Sequence, residues 1–161
     1  MLNKYIYEYD GIIELKDLLN KYIDLCYRKG NFIPLPTNSI NSKNLNQFRG
    51  TCFQIKDFWD ITLKYIYMWY NEIDSNNPLK PLLDKNNEYF LAYGTNKQGW
   101  KNFVEKNYLK GFVNDNYEPI NLSKEIFKYM NINNCKSDED KQKGINSMQE
   151  YLKNIIRNFG K

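Results

Sequence analysis

FWDITLKYIYMWY, residues 58–70, sets six aromatic rings in thirteen consecutive positions. Three uses compete for such rings: a base-stacking surface, a partner-binding patch, or a core. Projected at 3.6 residues per turn, Phe58, Trp59, Thr62, Leu63, Ile66, Trp69, Tyr70 and Ile73 cover one broad face. Ile61, Tyr65 and Met68 widen it, leaving only Asp60, Lys64, Tyr67 and Asn71 as a polar strip. A helix that is apolar over most of its circumference is a central, buried one, so most of the rings are assigned to a core. Tyr67 is the ring expected to reach solvent. Asp57 is the expected N-cap, with Asp60 favouring the positive end of the helix dipole.

Working outward, Ile12, Leu15, Leu19, Tyr22, Ile23 and Cys26 recur at helical spacing and predict a helix over 10–28 that stops at Gly30. Pro34 and Pro36 force NFIPLP, 31–36, to be extended. The Asn- and Ser-rich stretch 37–50 reads as a long loop, and a short β-hairpin or extended ribbon is allowed around 31–36 and 51–55. Downstream, PLKPLL predicts a turn and a short helical piece, and NNEYFLAYG a short helix ending at Gly94. In the next helix Trp100, Phe103, Val104 and Tyr108 share a face, Asn96 is available as a cap, and Gly99 weakens the first turn. Ser123 is expected to cap SKEIFKYM. A last helix over 138–158 carries Ile145, Met148, Leu152, Ile155 and Phe159, with an acidic start and Arg157 near its end suiting the dipole. The expectation is a mainly α fold, 1–161 forming a single compact, aromatic-rich helical domain.

The length of 161 residues suits one domain able to bury a sizeable core without disulfide or metal. Asn, Lys, Ile and Tyr crowd every segment, which points to an AT-rich bacterial or phage genome. Cys26, Cys52 and Cys135 are odd in number, widely spaced and free of any C-x-x-C pair, so reduced thiols in a cytoplasmic setting are expected. MLNKYIYEYDG lacks the basic start and apolar run of a secretory signal. No stretch approaches the ~18 apolar residues of a membrane span.

The chain contains no histidine, which excludes Ser-His and Cys-His activation and His-ligated zinc. Neither a Walker A sequence nor G-x-G-x-x-G is present, and no cofactor or metal is implied. Asp10, Glu14 and Lys16 superficially resemble the acid-x-Lys ending of metal-dependent nucleases. However, Glu14 and Lys16 point about 200° apart on a helix. Asp57 with Asp60, and the trio Asp138, Glu139 and Asp140, read as caps and dipole partners rather than metal ligands. The net charge of +4 raises nucleic-acid binding, for which Lys97, Lys101, Lys106 and Lys110, interleaved with Trp100 and Tyr108, are the candidates. A solvated lysine face is the competing reading.

GNFIPLP at 30–36, KDFWDITLKYIYMWY at 56–70 and WKNFVEKNYLKGFVND at 100–115 together resemble a set of small, uncharacterised bacterial proteins. Those proteins carry a GN-aromatic-IP-x-P element, an aromatic-Trp-Asp-x-x-Leu helix and a Trp-x-x-Phe-(I/V)-Glu-Lys-Asn-Tyr segment. The resemblance spans roughly 30–115 and implies a compact aromatic-rich domain without assigned catalytic or ligand residues.

The function expected from these features is a non-enzymatic protein-interaction module. Its narrower form is a phage- or mobile-element-encoded, anti-CRISPR-like inhibitor of a host protein or ribonucleoprotein defence complex. A nucleic-acid-binding protein and a cytosolic enzyme or housekeeping protein are the alternatives. Partner contact is expected on the 38–49 stretch and its neighbours, through Arg49, Asn46, Lys64 and Tyr67. For Arg49 two readings stand: a hot-spot donor fork, or a staple pairing with Asp57 or Asp60.

Overall fold

The computed structural model describes residues 11–25, 33–73, 76–123, 126 and 137–159. Its helices are α1 (Ile12–Leu25), α2 (Leu45–Thr51), α3 (Trp59–Tyr70), α4 (Lys80–Lys85), α5 (Asn87–Leu91), α6 (Asn96–Lys106), a 3₁₀ turn (Lys110–Phe112) and α7 (Asp138–Phe159). The protein is mainly α, as the sequence predicts, and its contacts divide it into two units: 33–121, and the two flanking segments 1–32 and 122–161.

In the flanking unit α1 packs along α7. Ser137 caps α7 as a capping box with an aspartate: its Oγ accepts the Asp140 N–H at 3.1 Å while Asp140 Oδ2 accepts the Ser137 N–H at 3.2 Å. The acidic trio 138–140 therefore serves the helix start. Leu152 and Ile155 are buried as expected, joined by Tyr151, while Ile145 and Met148 are half-buried. On α1 the buried residues are Leu18 and Leu25, not Leu19 and Ile23, which are 40% and 57% exposed. Leu18 and Leu25 lie seven apart, almost in line along the helix, and this rotates the inward stripe away from the predicted one. Glu14 pairs with Lys153 at 2.9 Å, and Asp10 lies outside the described residues. Gly30, Cys26, Cys135, the SKEIFKYM helix and the Phe159 side chain lie outside what is described.

In the 33–121 unit α3 is the central helix. Leu63, Ile66, Phe90, Phe103 and Val104 are fully buried, and Tyr70 and Trp100 almost so. Tyr70 is the hub: its ring meets Phe90, Trp100 and Phe103 at 6.2–6.4 Å, and its hydroxyl donates to the Phe90 carbonyl at 2.5 Å. Burial, with smaller contributions from Tyr93 and Tyr89, pushes the Tyr70 phenol far above its ordinary range, so it acts only as a neutral donor. Ring pairs at these separations add about 0.5–1.5 kcal/mol each beyond area burial. The helix is central, but of the six rings in residues 58–70 only Tyr70 is buried, while Phe58, Trp59, Tyr65, Tyr67 and Trp69 are half-buried, and two further corrections apply. Asp60 of the polar strip is 2% exposed, and Ile73, just past the helix, is 44% exposed.

Five further expectations are corrected. The 37–50 stretch is not all loop, because Asn44 and Gln47 form a reciprocal capping box (2.9 and 3.0 Å) that starts α2. No strand forms among the described residues. Instead the Pro34 carbonyl accepts from Tyr89 Oη at 2.6 Å, the Asn38 carbonyl from Asn86 Nδ2 at 3.2 Å, and 52–58 is a chain of turns. The α3 N-cap is Phe58, without a side-chain cap bond; Asp57 sits at φ +66° and is engaged elsewhere. Thr95 rather than Asn96 occupies the α6 N-cap, and Tyr108 turns outward at 61% exposure.

Gly99 is where the start of α6 meets the preceding turn. A Cβ there would collide with the Gly94 carbonyl and lie 2.9 Å from Tyr70 Cε1. Gly94 itself is at φ +111°, open to glycine. Helix propensity alone says Gly99→Ala should stabilise by about 1 kcal/mol. The collision reverses the sign: we predict a loss of ~1–3 kcal/mol, measured by urea denaturation. A stabilised variant would show that α6 is not seated on Gly94.

Candidate functional site

Residue 49 lies in the last turn of α2, and the sequence gives it the only arginine of the 33–121 unit. Its side chain crosses to the start of α3 and is 7% exposed. Nε donates to Thr62 Oγ1 at 3.1 Å, Nη2 to the Asp57 carbonyl at 2.7 Å and Nη1 to Asn46 Oδ1 at 3.3 Å. Nη1 also pairs with Asp57 Oδ1 at 2.5 Å. The guanidinium carbon lies 4.4 Å from the Trp59 ring centre. The Asp57 N–H returns a bond to the Arg49 carbonyl at 3.2 Å. A planar donor fork stacked on an indole explains why arginine suits this place and lysine would not.

Of the two readings of Arg49, this geometry is that of the staple, closed on Asp57 rather than Asp60. What it fixes is the 52–57 turn, where Lys56 and Asp57 are consecutive residues at φ +46° and +66°. Left-handed backbone at a lysine costs on the order of 1–2 kcal/mol and persists only when its surroundings impose it. At the outer side of this turn Phe53 is 71% exposed, with Lys56 Nζ 4.7 Å above its ring. Sequence reading missed Phe53, having placed it in a ribbon. The available signal was a large aromatic beside Cys52 and Gln54, in a segment without apolar periodicity.

The other sequence candidates are dispersed. Asn46 joins the Arg49 node. Lys64 is exposed and points about 200° around α3 from Thr62. Tyr67 is half-buried, its ring edge-on to Trp100 at 5.5 Å. In the lysine series, Lys101 and Lys110 lie 5.1 and 3.4 Å from the Tyr117 ring centre, and Lys106 lies 5.8 Å from that of Tyr93. Lys97 borders a separate, polar depression with Asn71 and Glu72. Tyr117 Oη donates to Glu105 at 2.5 Å, a bond that, with a smaller effect of burial, holds its phenol above the ordinary value. The Glu105 carboxylate thus lies beside the ring that Lys101 and Lys110 cover. Among the described residues no three potential ligands gather for a metal ion, and no helix is long and apolar enough to cross a membrane.

Two clefts open on the same unit. One of about 360 Å³ is bordered by Ile40, Lys43, Phe48, Pro78, Pro81 and Leu82. The other, about 440 Å³, lies at the C-terminal end of α3 beside α4. There Asp84 accepts the Trp69 indole N–H at 2.8 Å and Lys80 Nζ at 2.9 Å.

Residues 7–158 match the family described as "Family of unknown function (DUF6994)". The chain belongs to this family. The match takes in the seven described α-helices but for Phe159, not only the 30–115 stretch that carries the resemblance, and assigns no residue a role. No curated protein and no solved structure matches the chain.

Two expectations follow. Arg49→Ala should cost ~2–4 kcal/mol by chemical denaturation, from several charge-assisted bonds and the loss of packing on Trp59. Arg49→Lys should recover less than half of that, and full recovery would rule out the fork as the restraint. Asp84 supplies the second. Burial works to raise its carboxyl value, but the bonds from Trp69 and Lys80 outweigh it, so the net shift is downward. A carboxyl lowered on folding stabilises the protein above its unfolded value, and loses that contribution as pH falls through the folded value. The side chain is 51% exposed, so Asp84→Asn should cost under ~1 kcal/mol at neutral pH. The difference from wild type should close as pH falls below ~4, followed by thermal melting across pH.

Proposed function

We propose that the protein is a non-enzymatic protein-interaction module that engages its partner through the Arg49-clamped turn, with Phe53 as anchor. The observation that carries this reading is the 71% exposure of Phe53 on a turn whose backbone is held by a buried guanidinium. Exposed aromatics on rigid supports make strong interface anchors because little side-chain freedom is lost on docking. Lys56 Nζ stands over the ring, and Gln54 and the 67% exposed Asp57 side chain belong to the same turn, polar neighbours of the kind that rim an apolar interface centre. The narrower form remains part of the proposal: a phage- or mobile-element-encoded, anti-CRISPR-like inhibitor of a host defence complex in the cytoplasm. Its support is compositional, an AT-rich signature and fourteen tyrosines of the kind adaptable contact surfaces use.

The test is capture from nuclease-treated host lysate on immobilised wild type and Phe53→Ser, with mass spectrometry of what is retained. Binding should survive nuclease and fall modestly between about 50 and 200 mM salt, and Phe53→Ser should weaken it about thirtyfold without lowering the melting point. A fall of about 10³-fold over that salt interval, or loss on nuclease treatment, would transfer the function to the nucleic-acid reading and its lysines. Capture indifferent to Phe53→Ser would refute the turn as the contact surface.

A further inference from the structure

The 440 Å³ cleft at the end of α3 has a composition that selects a ligand class. Its apolar lining includes Met68, Trp69, Ile73 and Leu91, and the last two are each 44% exposed. Apolar side chains left wet on the wall of a concave site favour a guest with hydrocarbon to bury. Three charged residues share the cleft: Glu72, Lys80 and Asp84. Lys80 is 2.9 Å from Asp84 Oδ2, so these two offset one another. Glu72 is the charge in excess among the residues lining the cleft; it makes no ion pair among the described residues, and Lys97 lines the neighbouring depression that Glu72 also borders. It stands at φ +52° just past the end of α3, a backbone setting that carries its side chain off the helical path. The C-terminal end of α3 adds the negative pole of its dipole on the same side. An indole wall likewise prefers a cation to a neutral group.

We infer that this cleft binds an organic cation with an apolar body. The ammonium or guanidinium would lie toward Glu72 and the outer side of the Asp84 carboxylate, and the hydrocarbon against Trp69, Ile73 and Leu91. A free alkylamine and the lysine or arginine side chain of a peptide share this chemistry. The inference is independent of the Phe53 surface and survives its failure.

Titration by calorimetry, with the Trp69 indole N–H followed by NMR, tests it using n-hexylammonium, 1-hexanol and hexanoate, together with the blocked peptide acetyl-Leu-Lys-Leu-amide. At least one of the two cations should bind about five- to tenfold more tightly than hexanol, with hexanoate weakest, and should shift the Trp69 signal. The cation bound more tightly identifies the source. Glu72→Gln, a change at an exposed side chain, should abolish the preference over hexanol, as should raising salt from about 0.05 to 0.5 M. Hexanol binding as well as both cations, an unchanged preference in Glu72→Gln, or a Trp69 signal that no probe moves would each overturn the assignment.

Discussion

A guanidinium withdrawn from water must have its donors satisfied, and meeting that demand at Arg49 organises the 33–121 unit around α3. Moving such a charge indoors without partners would cost several kcal/mol. Here Thr62, Asn46 and both the carbonyl and the carboxylate of Asp57 supply them. Those acceptors belong to α2, the following turn and α3, so one side chain ties together three pieces of chain that are also anchored by the buried Leu45, Ile55 and Leu63. Asp57 remains largely in water, which keeps the desolvation on one partner only. The pair can then restrain the turn without the full cost of a buried ion pair.

The aromatic core works by a different constraint. Rings as large as Trp100 and Phe103 fill space only if the helices bearing them come close, and α6 meets α3 where Gly99 faces the Tyr70 ring. The same crowding uses side-chain polar groups as ties for irregular chain. Trp100 Nε1 donates to the Tyr117 carbonyl at 2.6 Å and Tyr89 Oη to that of Pro34. Two loops of the unit are thus tied back by ring donors to their carbonyls, a role that a tyrosine- and tryptophan-rich sequence can fill in place of strand pairing.

This division explains what the sequence disclosed. Apolar periodicity marked α3, α6 and α7 because burial follows spacing, and Trp100, Phe103, Val104, Leu152 and Ile155 are buried as read. It failed where one asparagine can either make a loop or cap a helix: Asn44 caps α2 through Gln47, a pattern present in the sequence but submerged among other asparagines. The candidate site was legible only in part. Arg49 and its pairing with Asp57 were among the readings, yet the exposure of Phe53 follows from two successive left-handed residues, Lys56 and Asp57, that no propensity favours. The charge balance at Glu72, Lys80 and Asp84 was equally hidden, because it depends on α3 and α4 meeting.

Left-handed backbone at residues other than glycine links these observations. Asparagine and aspartate tolerate it, but Lys56, Glu72, Tyr108 and Tyr117 do so at a cost. Lys56 adjoins the Phe53 turn, Glu72 supplies the excess charge of the 440 Å³ cleft, and Tyr117 holds two lysines over its ring. A glycine at any of these positions would relieve the backbone, but would remove the side chain that gives the surface its character. The strain therefore falls where the identity of an outward-facing group matters, and the stability that offsets it resides in the Arg49 node and the Tyr70 cluster. This distribution is the physical reason for looking for contacts at the turn and the cleft rather than on the regular faces of the helices.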